Sequence, residues 1–414
     1  MPADALSVTV AISAASYQKT LAESLLSAGM LRQVIDFVPY LEIRGPNSDG
    51  RLERVKNFPA YTLAKRLVWG VWRRLPTKMR RRPPMTVTVW LADRLLARCV
   101  VPSKIFHGCT ALCLASLRAA KQQGAITLVE HAASHPRRWK DVEKEECLRF
   151  GVRSLDGIGN QPERLLKRME QEFAECDRIV VPSEVAKESF AEYGYGKKTV
   201  VLPTGVDTEF FSPVPEVARP PIFRVCYVGR VEFAKGVGYL LQAWERLGLP
   251  RAELLLVGEV KPQMAAILRD YADCGIRLAG VLSPVEVARC YRESSLFVLP
   301  SPIEGLAQVL LEAMASGLAV VATDRTGSND CMTDGKEGRI VPARDVDALA
   351  EAILRCYQHH EETRAMGKAA RARIDRQFTL EHYNQRVIAL YRALASAPPR
   401  SPLGTNGGDP AYGM

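Results

Sequence analysis

At 414 residues and 45.8 kDa the chain is too long for one compact core, and at roughly 150 residues per domain it divides into two or three. With 47% hydrophobic and 25% charged residues it can bury substantial cores, which excludes a disordered, collagenous or low-complexity scaffold. No run reaches the ~18 apolar residues of a spanning helix, and no Lys or Arg precedes the apolar part of the first 17 residues. LSVTVAISAA therefore reads as a first strand, not a signal peptide or an anchor. Ten scattered cysteines with no CxxC exclude a zinc ribbon and a thioredoxin-like pair, and they fit a reducing cytoplasm.

Short apolar runs alternate with helical stretches, the pattern of βαβ units on a parallel sheet, so the class is α/β. In the first half strands are expected at LSVTVAI, QVIDFV, KIFHG, AITLVEH, RIVVPS and KTVVLP. Connecting segments such as YQKTLAESLLSAG and CLASLRAAKQQG have helical spacing and end in Gly, as helix stops do. A second set follows at FRVCYVG, AELLLVG, IRLAGV, SLFVLPS, AVVATD and GRIVPA. Between the sets, Pro213, Pro215, Pro220 and Pro221 fall within nine residues, a composition that resists helix and sheet alike. The boundary is placed there: a first domain over 1–212, a second over 213–380, a helix over 381–397 packing back on the first domain, and a disordered tail over 398–414.

The net charge of +10 is largely local. Lys65, Arg66, Arg73, Arg74, Lys78, Arg80, Arg81 and Arg82 lie in a stretch without Asp or Glu that also holds Trp69, Trp72 and Trp90. An insert over about 61–90 with an indole face and a cationic face suits an anionic membrane surface, and a solvated basic excursion is the plainer alternative. Nucleic acid is not an expected partner, because no helix-turn-helix, RNP-like or zinc pattern accompanies the patch.

In doubly wound sheets, ligands bind beyond the carboxyl ends of the strands. FRVCYVGRVEFAKG ends a strand at Gly229 and sets Arg230 and Lys235 before the helix GVGYLLQAWERLG. Two cations beside a helix N-terminus suit a phosphate or diphosphate, though such a pair is also common on a solvated surface. SPIEGLAQVLLEAMASG sets Glu304 and Glu312 with seven residues between them across a strand-to-helix junction. With Gly305 and Leu306 opening the helix, Glu312 would lie about two turns in, ~12 Å along the axis, the length scale of a nucleotide sugar. Carboxylates so placed accept from polyol hydroxyls. A capping Glu followed by a surface Glu is the bland alternative.

Taken together, GRVEFAKG, LLLVGE, EGLAQVLLEAMASG and PTGVDTEFFSP resemble, in order and at matching spacing, the motifs of family 4 glycosyltransferases of the GT-B fold. The resemblance implies two Rossmann-like domains facing a central cleft. It implies a retaining transfer from a nucleotide diphosphate sugar, UDP- or GDP-linked, with no cofactor and no metal. By it, Gly229 belongs to the Gly-Arg loop, Arg230 and Lys235 hold the donor diphosphate, and Glu312 holds the ribose hydroxyls. Glu304 and the amides of Gly305, Leu306 and Ala307 face the donor sugar, Val281 lies near the base, and His131 aligns with a histidine beside the reacting sugar. Arg230, Lys235, Glu304 and His131 are the residues expected to carry catalysis.

The sequence departs from the family at Leu306 and Ala307, where E-G-F-G is common, at Thr204, where Asn is frequent, and at SAASYQK, where a Gly pair usually stands. Outside the motifs, HAASH offers two histidines on a helix face but no third metal ligand. His107 reads as a buried, satisfied histidine, and Asp345 as a helix N-cap. The expected acceptor is a hydroxyl on a glycan, a lipid-linked sugar or a small molecule, in polysaccharide or glycolipid synthesis, in the cytoplasm or at the inner membrane face. A nucleotide-sugar epimerase of the same fold and a non-catalytic sugar- or membrane-binding protein are the rival readings. A dinucleotide oxidoreductase is disfavoured because no GxGxxG follows a strand.

Overall fold

The computed structural model describes residues 6–12, 16–36, 55–57, 85–152, 161–213 and 222–396. Most of the basic insert, including Trp69 and Trp72, the start of the SAASYQK loop, part of the proline-rich boundary and the tail over 398–414 lie outside the described residues.

Two parallel sheets carry the molecule. The first is built from β1 (Val8–Ile12), β2 (Leu31–Asp36), β3 (Val55–Asn57), β4 (Ile105–Cys109), β5 (Ile126–Glu130), β6 (Arg178–Val181) and β7 (Thr199–Val201), in the order β3-β2-β1-β4-β5-β6-β7. The second is built from β8 (Phe223–Val228), β9 (Ala252–Val257), β10 (Ile276–Gly280), β11 (Leu296–Leu299), β12 (Ala319–Thr323) and β13 (Gly338–Val341), in the order β10-β9-β8-β11-β12-β13. Each winds outward in both directions from its first strand, so the winding reverses between β1 and β4 in one sheet and between β8 and β11 in the other. That reversal opens a crevice at the strand ends, the place where such sheets bind ligands. Strands such as β11 (LFVL) and β12 (AVVAT) are buried along their whole length, because helices cover both faces of a parallel sheet.

The first sheet carries α1 (Ser16–Ser27), α2 (Met85–Ala97), α3 (Leu114–Gln122), α4 (Pro136–Arg149), α5 (Glu163–Glu175) and α6 (Glu184–Ala191). The second carries α7 (Val237–Leu247), α8 (Pro262–Ile267), α9 (Pro284–Glu293), α10 (Gln308–Ala315), α11 (Ser328–Cys331), α12 (Val346–Gln358) and α13 (His360–Gln377). Helix starts follow local chemistry. The Ser183 hydroxyl accepts from the Ala186 amide before α6, Ser283 and Glu286 form a capping box before α9, and Asp345 accepts from the Ala348 amide before α12. The N-cap reading of Asp345 therefore holds.

The last helix, α14 (Leu380–Ser396), returns to the first sheet, where Tyr383, Val387 and Tyr391 join the core of β1, β2 and α1. The Tyr383 hydroxyl donates to Glu130 at 3.0 Å, and the Tyr391 hydroxyl meets His107 Nδ1 at 2.7 Å. His107 is buried, and desolvation pushes its pKa down to about 4. In the segment PTGVDTEFFSP, Val206 donates its amide to Phe378 O, and Arg371 reaches Thr208 O, Phe211 O and Ala315 O. These bonds tie the end of the first domain to helices of the second. Trp90, expected on the membrane-facing insert, lies in α2 with Arg168 5.6 Å over its ring.

Candidate active site

The crevice at the β8/β11 reversal gathers most of the singled-out residues. After β8 the chain turns at Gly229, whose amide donates to Val257 O. Arg230 follows, and its guanidinium pairs with Glu232 at 2.7 Å. A short 3-10 turn over Phe233–Lys235 then delivers Lys235. Gly236 allows that turn. It sits at φ 73°, and a Cβ there would come 2.0 Å from Pro300 O, so the loop after β8 runs directly against the end of β11.

Lys235 and Glu304 meet across this contact, Nζ to Oε1 at 2.5 Å. The same Glu304 oxygen accepts from the Ser301 hydroxyl at 3.0 Å, and Lys235 stands 4.7 Å over the ring of Trp139, a residue of α4 in the first domain. Burial pushes the Glu232 carboxyl upward against the pull of Arg230, Lys235 and Lys261, which places all three cations around that one acid. Arg230 and Lys235 thus share a neighbourhood, as a diphosphate site requires.

The expected helix start needs correction. The helix opens at Gln308 with Ala307 as N-cap, not at Gly305, because Glu304 and Ala307 already donate their amides to Arg325 O and Thr326 O. Ala307's amide is therefore occupied within the protein. Leu306 and Ala307 turn their side chains into the second domain's core, which accounts for apolar residues at these two positions. Glu312 lies in the second turn of the helix, not its third. Its carboxyl accepts from the Tyr291 hydroxyl at 3.2 Å, and burial raises its pKa to about 7. Val281 stands 77% exposed just beyond β10, on the outer edge of the same sheet and away from the central pair.

The first domain closes on this loop. A Cβ on Gly305 would lie 2.5 Å from Ala132 O, so only glycine permits the approach. Ser134 donates to Glu304 O, Ser183 donates to Gly305 O at 2.8 Å, and Gln308 donates to Gly205 O at 3.0 Å. His131 begins the segment that makes these contacts. Its Nε2 is 3.2 Å from Ser134 O, Phe173 and Phe190 pack edge-on against its ring, and desolvation lowers its pKa to about 4. HAASH is not a helix face: His131 follows β5 in a loop, and His135 is the N-cap of α4, accepting from the Arg137 amide and stacking on Tyr193. Among the described residues no group of three or more His, Cys, Asp or Glu could hold a metal ion.

Sequence reasoning missed Trp139, Glu232, Ser301, Tyr291, Ser134 and Ser183. Glu232 and Ser301 lie inside quoted motifs and were within reach. Trp139 and the two first-domain serines gain their roles only from the apposition of the domains.

Family models match both halves of the chain. The profile "Glycosyltransferase Family 4" matches residues 19–210, and "Glycosyl transferases group 1" matches residues 222–359. The chain belongs to the family 4 glycosyltransferases. It is 29% identical over 236 residues to the amylovoran biosynthesis glycosyltransferase AmsK of Erwinia amylovora, covering 54% of this chain and 56% of that one. The chain spans between 52% and 59% of the length of the first curated relatives it matches. Among solved structures, sucrose-phosphate synthase from Thermosynechococcus elongatus superposes with a TM-score of 0.67 at 21% identity, over 94% of this chain and 99% of that one. HepE from Anabaena, solved with UDP-glucose, superposes with a TM-score of 0.61 at 14% identity, over 94% and 100%. These likenesses establish the GT-B fold. Among the described residues no helix is long and apolar enough to cross a membrane.

Proposed function

We propose that this family member is a retaining glycosyltransferase. It moves a sugar from a UDP- or GDP-linked donor to a hydroxyl of a glycan, lipid-linked or small-molecule acceptor. The observation that carries this reading is the Lys235–Glu304 pair at the β8/β11 reversal, with Arg230 sharing its acidic neighbour Glu232. One cation and one carboxylate, each mostly buried, face the same crevice, and a nucleotide sugar offers a partner to both: diphosphate for Lys235 and sugar hydroxyls for Glu304. Arg230 adds a second cation for the diphosphate, and Glu312 is the carboxylate for the ribose.

As the glycosidic bond breaks, charge gathers on the leaving diphosphate while the sugar becomes oxocarbenium-like. Arg230, Lys235 and the backbone dipoles before α10 stabilise that charge without a metal. The acceptor hydroxyl enters from the face the diphosphate leaves, with a donor phosphate oxygen taking its proton, so no protein base is needed. His131, neutral and at the cleft edge, serves as a hydrogen-bonding group to the donor sugar. The closed apposition of the domains excludes water from the reacting centre. The name of the relative AmsK supports a polysaccharide as the product's destination.

The test is a screen of UDP- and GDP-sugars for thermal stabilisation of the chain, followed by slow donor hydrolysis with the best one. Stabilisation by a nucleotide sugar, lost in Lys235→Ala, is the expected result. Absence of stabilisation by every UDP- and GDP-sugar overturns the reading. For the stretch over 61–90 the proposal is docking at an anionic membrane face. Flotation with anionic liposomes, salt-sensitive and lost when Arg73, Arg74 and Arg80 to Arg82 are neutralised, tests it, and binding indifferent to those changes removes it.

A further inference from the structure

Beside the loop that carries Glu304 lies a cavity, about 370 Å³ in volume, walled by both domains. Ile303 lines it, while the next residue, Glu304, turns its carboxylate to Lys235. The backbone of 303–305, held by Ser134, Ser183 and Arg325 O, therefore runs between the Lys235–Glu304 pair and this cavity. None of the residues expected to hold the donor lines it.

From its lining we infer that this cavity is a binding site for neutral saccharide units, about one or two pyranose rings by volume, at the small end of the roughly 300–1,000 Å³ of ligand pockets. Its charged groups balance: Arg138, Arg325 and Arg344 against Glu188, Glu192 and Asp324. A lining with no net charge does not select a phosphate, and one this polar does not select a lipid chain. What it offers is alternating donors and acceptors, the complement of vicinal hydroxyls. Two of its ion pairs are loose, Arg138 to Glu192 at 3.8 Å and Arg325 to Asp324 at 3.6 Å, longer than a direct hydrogen bond. A hydroxyl placed between such partners bonds to both. Val142 and Ile303, packed with Trp139, supply an apolar patch for the C–H face of a sugar ring.

The site takes residues from both domains, so its occupant also ties them together beside the loop that carries Glu304. The inference rests on the transferase reading for its glycan context, yet it fails separately. The saccharide has two sources, the non-reacting units of a glycan acceptor or a free sugar that holds the domains closed.

The experiment uses the full chain with UDP and GDP in excess to occupy the donor chamber, and saturation-transfer NMR with a panel of glucose, galactose and mannose disaccharides. At least one disaccharide binds beside the nucleotide. Glu188→Ala weakens it about tenfold or more, the scale of a lost charge-assisted hydrogen bond. Val185→Trp, which fills the cavity from α6, abolishes it, with unchanged melting showing that both variants fold. A disaccharide that is glycosylated when donor is present assigns the cavity to the acceptor, and one that binds unconsumed assigns it to a free sugar. Either outcome supports the inference. No binding by any member, or binding indifferent to both variants, overturns it. If Val185→Trp keeps nucleotide stabilisation and donor hydrolysis, the transferase reading stands regardless; if the wild type binds disaccharide but no nucleotide, that reading falls and this one survives.

Discussion

Lys235 Nζ and Glu304 Oε1 lie 2.5 Å apart although 69 residues separate them in sequence, and Trp139 from the other domain covers the ammonium. With side chains only 15% and 11% exposed, each neutralises the other in a place where water does little of that work. Under the proposed function, a donor entering the crevice would exchange this pair for two new ones, phosphate with Lys235 and sugar hydroxyl with Glu304.

Lys235→Ala is expected to lower turnover by about 10²–10³-fold, the loss typical of one preorganised charge-stabilising group. It also leaves Glu304 half-satisfied and costs about 1–3 kcal/mol of stability. Adding Glu304→Ala removes the stranded carboxylate, so the double variant regains part of that stability but none of the activity. Urea unfolding and donor hydrolysis on the same four proteins check this, and a double variant as unstable as the sum of the singles would show that the two residues do not interact.

Glu312 gives a pH signature. Its carboxyl, raised to about 7 by burial, is largely protonated at pH 6 and ionised at pH 8. In the proposed ribose role, the ionised form offers both oxygens as acceptors, whereas the protonated form gives up one of them to an O–H. Nucleotide affinity is therefore expected to rise across pH 6–8 and to flatten in Glu312→Gln. Tyr291→Phe deletes the hydrogen bond that draws this pKa down, so the rise moves to higher pH. The same carboxyl keeps its proton longer folded than unfolded, so its contribution to stability is full below 4.5 and fades as the pH climbs to about 7. Calorimetric titration of nucleotide at several pH values reads the first effect.

His131 behaves in the opposite sense. Desolvation lowers its pKa to about 4, so it is neutral wherever the enzyme is assayed. The folded state loses stability as the pH falls from about 6.5 toward 4, because the unfolded chain takes up that proton first. Proton NMR of the His131 ring is expected to show no titration between about pH 6 and 8, where an ordinary exposed histidine titrates. A midpoint inside that window would show a charged imidazole beside the donor.

Much of the fold was legible in the sequence, and for a definite reason. Twelve of the thirteen strands among the described residues coincide with the apolar runs, because most of them, such as β11 and β12, are buried along their length and must be apolar. The missed one, β3, is three residues, VKN, at the sheet edge, too short and too polar to show periodicity. Arg230, Lys235, Glu304 and Glu312 could be singled out because they sit in local motifs, and the structure brings Lys235 and Glu304 into contact. The start of α10 was misplaced because Arg325 O and Thr326 O, from the loop after β12, capture the amides of Glu304 and Ala307, a contact that no local pattern announces. Trp139 and Ser134 were invisible for the same physical reason: their partners lie in the other domain.

Closure itself can be tested at α4, which belongs to the first domain yet is bonded to the second. Glu146, fully buried, accepts from the Tyr239 hydroxyl at 2.6 Å and from Arg344 Nε at 2.7 Å. Next to it Phe150 stacks on Phe233, and its ring occupies the space that a Cβ on Gly238 would fill, 2.6 Å away. Removing both donors with Tyr239→Phe and Arg344→Ala leaves a carboxylate that only water can satisfy. The domains are then expected to part, seen as a larger radius of gyration in X-ray scattering and faster proteolysis between them. Because the donor chamber would fill with water, hydrolysis should rise relative to transfer even as total turnover falls. Gly238→Val reaches the same state by steric means. If both variants scatter like the wild type and keep its hydrolysis-to-transfer ratio, α4 is packing alone and takes no part in shutting the cleft.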